Sequence, residues 1–219
     1  MKNRINYFFA FILLTSWIAS SQLAVGQIKS SELDPKYKYT NSVIAEEYFK
    51  KGLTAYQNKN LSLAMQYYRE ALKLDSNYPV LLDNLGMCYS GLQKPDSAIY
   101  FFDRSIKIYP NGVFAMVSLG MIYSKQNRHV DALKLFTQAL KIDPNLTEAY
   151  YGLAGSLLTL NAPKLALPYA LKSMELYLKA GNNKFYGHAA YRTGICYSLL
   201  KDTTNAKLFF AKAAQHGTK

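Results

Sequence analysis

The sequence predicts an all-helical protein of stacked helical hairpins, and three observations point to that fold. Apolar and small residues recur at helical spacing through residues 42–217, the pattern returns with a period of 34 residues, and short polar turns separate the helices. Half of the 219 residues are hydrophobic, which allows a substantial core. We therefore expect one solenoid domain in which each hairpin packs against its neighbours.

Residues 113–146 show the repeated unit most clearly. One stripe of a first helix carries bulky and small residues at a 3/4 spacing: Met116, Leu119, Gly120 and Tyr123. The matching stripe of a second helix carries small and aromatic residues: Ala132, Phe136 and Ala139. Small residues on both stripes allow two antiparallel helices to approach closely, and Asp143-Pro144 ends the second helix.

These stripes resemble the tetratricopeptide repeat, which has Leu-Gly and Tyr on its first helix and Ala, an aromatic residue and Ala on its second. Five units show the pattern: residues 45–78, 79–112, 113–146, 147–180 and 187–217. The resemblance implies a right-handed superhelical solenoid. In the fourth unit, Pro168 is expected to bend the second helix. Residues 181–186 are expected to separate this unit from the fifth.

The fifth unit differs from the others on the face that would contact a following repeat. Met65, Ile99, Leu133 and Leu167 hold one such position in the first four units, whereas Lys207 holds it in the fifth. Ala214 and His216 hold two further positions of that face. A polar end is typical of a capping repeat. We therefore expect no sixth repeat, no end-to-end stacking, and a monomer.

Residues 1–26 have the pattern of a secretory signal peptide. Lys2 and Arg4 precede an apolar stretch over residues 5–18, and small residues precede a cleavage site before Gln27. We predict export to the periplasm or the extracellular space, followed by a flexible lead-in over residues 27–41. The alternative is an uncleaved N-terminal membrane anchor, although the apolar stretch is shorter than the roughly 20 residues that span a bilayer.

The net charge of +12 is unevenly distributed. Residues 164–219 hold nine Lys or Arg residues but only two acidic residues, Glu175 and Asp202. In an exported protein this excess favours acidic proteins or a weak contact with an anionic envelope surface, and it argues against nucleic acid as a partner. The alternative is that lysines on outer helix faces keep the solenoid soluble.

The residues needed for catalysis are scarce. The three histidines have no second histidine or carboxylate at a metal-ligand spacing, and the glycines follow the repeat instead of forming a nucleotide loop. Cys88 and Cys196 fall in the second and fifth units, too far apart for a disulfide. We predict two unpaired core cysteines, no metal, no cofactor and no enzymatic activity.

The resemblance implies that the first helices line a concave groove that receives an extended peptide or a helix. The corresponding positions hold apolar and aromatic residues: Phe49, Leu53, Tyr56, Met87, Val117, Met121, Tyr151, Leu158, Tyr191 and Ile195. Such a groove suits a hydrophobic peptide or an amphipathic helix. Alternatively, some of these residues pack against neighbouring repeats, or residues 27–41 lie over them.

Two functions follow from these features. The first is a non-enzymatic adaptor or scaffold that binds a protein or peptide partner in the groove. The second is an envelope-associating module whose basic C-terminal end binds anionic lipid or polysaccharide. Ionic strength distinguishes them, because attachment through exposed charges weakens as salt rises, whereas an apolar contact changes little.

Overall fold

The computed structural model describes residues 40–217. Ten α-helices and no strand occur in that range, so the all-helical prediction is confirmed. They are α1 (Val43–Gln57), α2 (Leu61–Leu74), α3 (Pro79–Gly91), α4 (Pro95–Ile108), α5 (Val113–Lys125), α6 (His129–Ile142), α7 (Thr147–Thr159), α8 (Pro163–Lys179), α9 (Asn183–Leu199) and α10 (Thr203–Gln215). None of the ten is both long enough and apolar enough to cross a membrane. The predicted signal peptide, and the predicted lead-in up to residue 39, lie outside the described residues.

The helices are arranged as five consecutive hairpins. Each odd-numbered helix packs against the helix that follows it, and each even-numbered helix also packs against the first helix of the next hairpin. First helices of successive hairpins touch as well, α3 with α5, α5 with α7 and α7 with α9. Second helices make no contact of that extent with one another within residues 40–217. Neighbouring first helices are therefore in closer contact than neighbouring second helices, and we call the layer of first helices the inner layer.

Polar side chains and prolines define where several helices begin. The side chains of Ser42, Asn60, Asn182 and Asp202 accept hydrogen bonds from backbone N–H groups in the first turns of α1, α2, α9 and α10. The α3, α4 and α8 helices instead begin with proline, whose missing N–H would have no intrahelical partner there.

The junction between the fourth and fifth hairpins differs from the sequence prediction. Residues 183–186 belong to α9, so the predicted six-residue separation was wrong, and Ala180, Gly181 and Asn182 are the three residues between α8 and α9. Asn182 caps the helix early by accepting a 3.3 Å hydrogen bond from the Phe185 N–H. Burial of Phe185 against Tyr177, with ring centroids 5.4 Å apart, stabilises this added turn.

The α8 helix continues through Pro168. It extends over 17 residues from Pro163 to Lys179, and Pro168 lies in its second turn with an exposed side chain. At this position proline removes one backbone hydrogen bond, and the helix nevertheless continues to Lys179. The fourth hairpin therefore remains helical where its sequence departs from the pattern.

Candidate functional site

The ten residues predicted to line the groove all lie on first helices. Six of them are partly exposed: Leu53, Tyr56, Met121, Leu158, Tyr191 and Ile195. The other four are buried: Phe49, Met87, Val117 and Tyr151. All ten thus lie on first helices, but only the six partly exposed residues offer substantial surface to another molecule.

The four buried residues hold neighbouring helices together. The Phe49 ring centroid lies 5.8 Å from that of Tyr68 and 5.2 Å from that of Tyr78. Tyr151 is 8% exposed, and its ring packs edge-on against Tyr177. Tyr151 also belongs to a cluster with Tyr186 and Ala189 of the fifth hairpin, which corresponds to the alternative that some groove positions pack between repeats. Direct contact of these four with a partner is therefore limited.

The partly exposed residues form an apolar surface on the first, third, fourth and fifth hairpins. Met121 touches two core clusters, one around Phe136 and one around Tyr151. Leu158 packs against the core of the fourth and fifth hairpins, and Tyr191 lies against Phe210 with ring centroids 5.4 Å apart. In the second hairpin the inner layer continues through Met87, which belongs to the cluster that Tyr56 packs against.

Arg192 is a further residue beside the predicted groove positions, and the sequence pattern did not predict it. Its guanidinium carbon lies 3.6 Å from the centroid of the Tyr151 ring, and its Nη1 donates a hydrogen bond to the Tyr151 carbonyl oxygen. Gly155 provides the space, because a Cβ at that position would lie 2.9 Å from Arg192 Nη1. A planar cation is thereby fixed against an aromatic ring between α7 and α9.

His188 lies one turn before Arg192 on α9. Its ring centroid is 5.9 Å from that of Phe185, and both ring nitrogens are shielded from water without a hydrogen-bond partner. Burial lowers the pKa of His188, and the nearby cations Lys184 and Arg192 lower it further. The imidazole is therefore neutral at neutral pH.

Glu148 is the acidic residue of α7. Burial raises the pKa of its carboxyl group, and the negative charge of Asp143 raises it further. Tyr177 is close enough to feel the charges of both Glu148 and Arg192, and its pKa is raised mainly by burial. Glu148 makes no ion pair with Arg192 within residues 40–217.

The two cysteines are unpaired and buried, as predicted. Cys88 belongs to the cluster of the first two hairpins and Cys196 to that of the fourth and fifth. Burial raises the pKa of Cys88 to about 12 and that of Cys196 to about 11, so both are neutral thiols at neutral pH. In the described part of the chain, no three His, Cys, Asp or Glu side chains are close enough to hold a metal ion.

Three segments of the chain match profiles that are each described as a tetratricopeptide repeat: residues 45–78, 81–112 and 113–146. This chain is a tetratricopeptide repeat protein. The three matched segments coincide with the first three hairpins, in which α1 to α6 lie. In the last two hairpins the helix pairs continue even though the residue pattern is weaker.

Solved structures share the fold of this tetratricopeptide repeat chain. MamA from Desulfovibrio magneticus RS-1 superposes with a TM-score of 0.71 and 18% identity, covering 81% of this chain and 97% of that one. Another structure, of MamA protein, gives 0.67 and 20%, covering 79% and 91%. Pseudomonas aeruginosa pilF gives 0.70 and 18%, covering 80% and 78%. A search of curated protein sequences found no significant match. At sequence identities of 18% to 20%, the similarity to these structures shows the fold alone.

Proposed function

We propose that this tetratricopeptide repeat protein is a non-enzymatic scaffold that binds a protein partner along the inner face of its first helices. The observation that carries the proposal is the row of partly exposed apolar side chains on α1, α5, α7 and α9. A hydrophobic peptide or the apolar face of an amphipathic helix would cover this row. We define the inner groove as Leu53, Tyr56, Met121, Leu158, Tyr191 and Ile195.

The packing of the inner groove supports this use. Its members rest on buried side chains, as Met121 does on the clusters around Phe136 and Tyr151, so the surface is formed before a partner arrives. A preformed apolar surface binds without the cost of ordering its own side chains. Each Å² of apolar area removed from water contributes about 25 cal/mol, so several such contacts are needed for specific binding.

A peptide selection tests the proposal. The full chain is panned against a random peptide library, and the selected peptides are measured against a variant with Met121→Gln and Ile195→Gln. These changes replace apolar groove surface by uncharged polar groups of similar size. The control is Leu165→Gln, which alters an outer-surface leucine on α8 that is 61% exposed. We expect the groove variant to lose the selected peptides and the control to retain them.

Three outcomes contradict the proposal. The first is that no peptide is enriched. The second is that the selected peptides bind the groove variant as tightly as the unaltered chain. The third is that Leu165→Gln weakens binding to the same extent. Circular dichroism of each variant shows whether the helices are intact.

The C-terminal cations support a second candidate, attachment to an anionic surface. Lys164, Lys184, Lys201 and Lys207 are exposed, whereas Lys172 and Lys179 are paired with Glu175 at 3.0 and 3.9 Å. Exposed cations of this kind attach to anionic lipid or polysaccharide in a salt-sensitive way. Binding to anionic vesicles that survives the groove substitutions and is lost at high salt would favour this candidate over groove binding.

The proposal places the scaffold outside the cytoplasm, as a monomer that does not bind nucleic acid. The pattern of residues 1–26 supports export. The exposed Lys207 at the last hairpin supports a monomer, because a charged end disfavours stacking of a further repeat.

A further inference from the structure

One end of the inner face differs in charge from the rest. The α9 helix carries Lys184, His188 and Arg192 at intervals of four residues, which places them on one stripe. The helix contains no aspartate or glutamate. Lys184 is exposed, and Arg192 is partly exposed. A stripe of cationic and hydrogen-bonding groups therefore adjoins the inner groove beside Ile195.

Arg192 is held in an orientation that leaves donors for a ligand. A guanidinium has five N–H donors, and the structure assigns one hydrogen bond of Arg192, from Nη1 to the Tyr151 carbonyl oxygen. The ring of Tyr151 supports one face of the guanidinium at 3.6 Å. An arginine that is already fixed loses less conformational freedom when it binds a planar anion.

His188 lies between Lys184 and Arg192 on the same stripe. Both of its ring nitrogens are shielded from water and lack a hydrogen-bond partner, so they are not within reach of a ligand. Burial and the two neighbouring cations lower the pKa of His188. The positive charge of the stripe therefore comes from Lys184 and Arg192.

We infer that the α9 end of the inner groove binds an acidic segment of the partner peptide, with a side-chain carboxylate on Arg192 and apolar side chains on the groove beyond it. The inference rests on the proposed function and adds the chemistry of the partner. One fixed guanidinium matches the single charge and planar fork of a carboxylate.

The peptide selection also tests this inference. Peptides selected by the full chain are expected to combine apolar residues with aspartate or glutamate. Peptides selected by an Arg192→Gln variant are expected to keep the apolar residues and lose the acidic preference. Lys207→Gln is the matched control, because it removes one exposed positive charge on α10, away from the stripe.

Affinities of one selected acidic peptide make the test quantitative. Arg192→Gln is expected to weaken its binding about 10- to 100-fold, as for a lost charge-assisted hydrogen bond. Changing the peptide's carboxylates to amides should weaken binding to the unaltered chain equally and should add little to the effect of Arg192→Gln. The amide peptide keeps the test valid even if Arg192→Gln disturbs folding.

The possible failures are distinguishable. Enrichment of apolar peptides without acidic residues would overturn this inference and leave the proposed function standing, whereas no enrichment at all would overturn both. An acidic preference that Lys207→Gln removes as fully as Arg192→Gln would overturn the assignment to Arg192. Displacement of the acidic peptide by inorganic phosphate, but not by an equal ionic strength of chloride, would overturn the choice of a carboxylate.

Discussion

Gly120 lies directly against the ring of Phe136 across the third hairpin. A Cβ placed on Gly120 would lie 2.7 Å from Phe136 Cε1 and 3.0 Å from Cζ, closer than side-chain atoms approach each other. Phe136 is fully buried, and its ring also lies against Gly152 of the next hairpin. One aromatic ring thus fills the space that glycines leave on two first helices, and it joins consecutive hairpins.

Substitution of Gly120 by alanine should therefore destabilise the solenoid. We expect a loss of about 1 to 3 kcal/mol from overpacking against Phe136, measured as a shift of the urea unfolding midpoint. Gly91 is the matched control, since a Cβ there would lie an ordinary 3.6 Å from Leu61 Cδ1. Gly91→Ala should be neutral or stabilising, because alanine favours a helix more than glycine does. Equal effects of the two changes would contradict this account of the packing.

The five hairpin turns share a left-handed backbone conformation at one residue each. Each contains one non-glycine residue with φ between 56° and 63°: Lys59, Gln93, Asn127, Asn161 and Lys201. Left-handed backbone is unfavourable for most side chains but is tolerated by asparagine and glycine.

Gln93→Gly should stabilise the protein by about 0.5 to 1 kcal/mol by relieving this conformation. Asn127→Gly should have a smaller effect, because asparagine already tolerates a positive φ. Chemical denaturation of both variants provides the measurement. A larger gain at Asn127 than at Gln93 would mean that backbone strain does not determine stability at these turns.

Much of the fold could be predicted from the sequence because the repeat signal is local. The spacing of Leu119, Gly120 and Tyr123 is a property of one helix, and the small residues opposite indicate its partner. The start of α9 could not be predicted in this way. It depends on Asn182 as a cap and on Phe185 packing against Tyr177, a contact that the repeat pattern does not contain.

The candidate site was only partly predictable. The resemblance placed the groove positions on first helices, where they lie, but their burial depends on rings from adjacent hairpins, as Tyr151 shows in its cluster with Phe185 and Tyr186. Arg192 was missed because its role depends on the absence of a side chain at Gly155, 37 positions earlier in the chain. The absence of aspartate and glutamate from α9 was the sequence feature that could have indicated Arg192.

Glu148 should make stability depend on pH. Its pKa is raised in the folded state, so its contribution is favourable at low pH and is lost as pH rises above the ordinary value of 4.5 and through the raised pKa. Glu148→Gln should therefore stabilise the protein at neutral pH, with the difference vanishing in acid. Urea midpoints measured across this pH range test the prediction.

Glu175 provides the opposite control. A hydrogen bond from Lys172 lowers the pKa of Glu175, so its contribution is favourable above 4.5 and is lost in acid. Glu175→Gln should be neutral or slightly destabilising at neutral pH, because the pair is exposed. A stabilising effect of Glu175→Gln that equals that of Glu148→Gln would exclude burial of Glu148 as the cause.

Export should be visible at the N-terminus of the native protein. We expect the mature chain to begin at or near Gln27, because small residues precede that position. Mass spectrometry of the protein purified from its source gives the mature terminus directly. A chain that retains Met1 and fractionates with membranes would instead support the N-terminal anchor.

Carbene footprinting of the full chain, with and without a selected peptide, tests most directly whether partners bind the inner face. Side chains covered by the peptide lose label, and mass spectrometry locates them. We expect protection of Met121, Leu158 and Ile195, and unchanged labelling of the outer-surface residues Val130 and Leu165, which are 59% and 61% exposed. Protection of Val130 or Leu165, with Met121 and Ile195 still labelled, would contradict binding at the inner face.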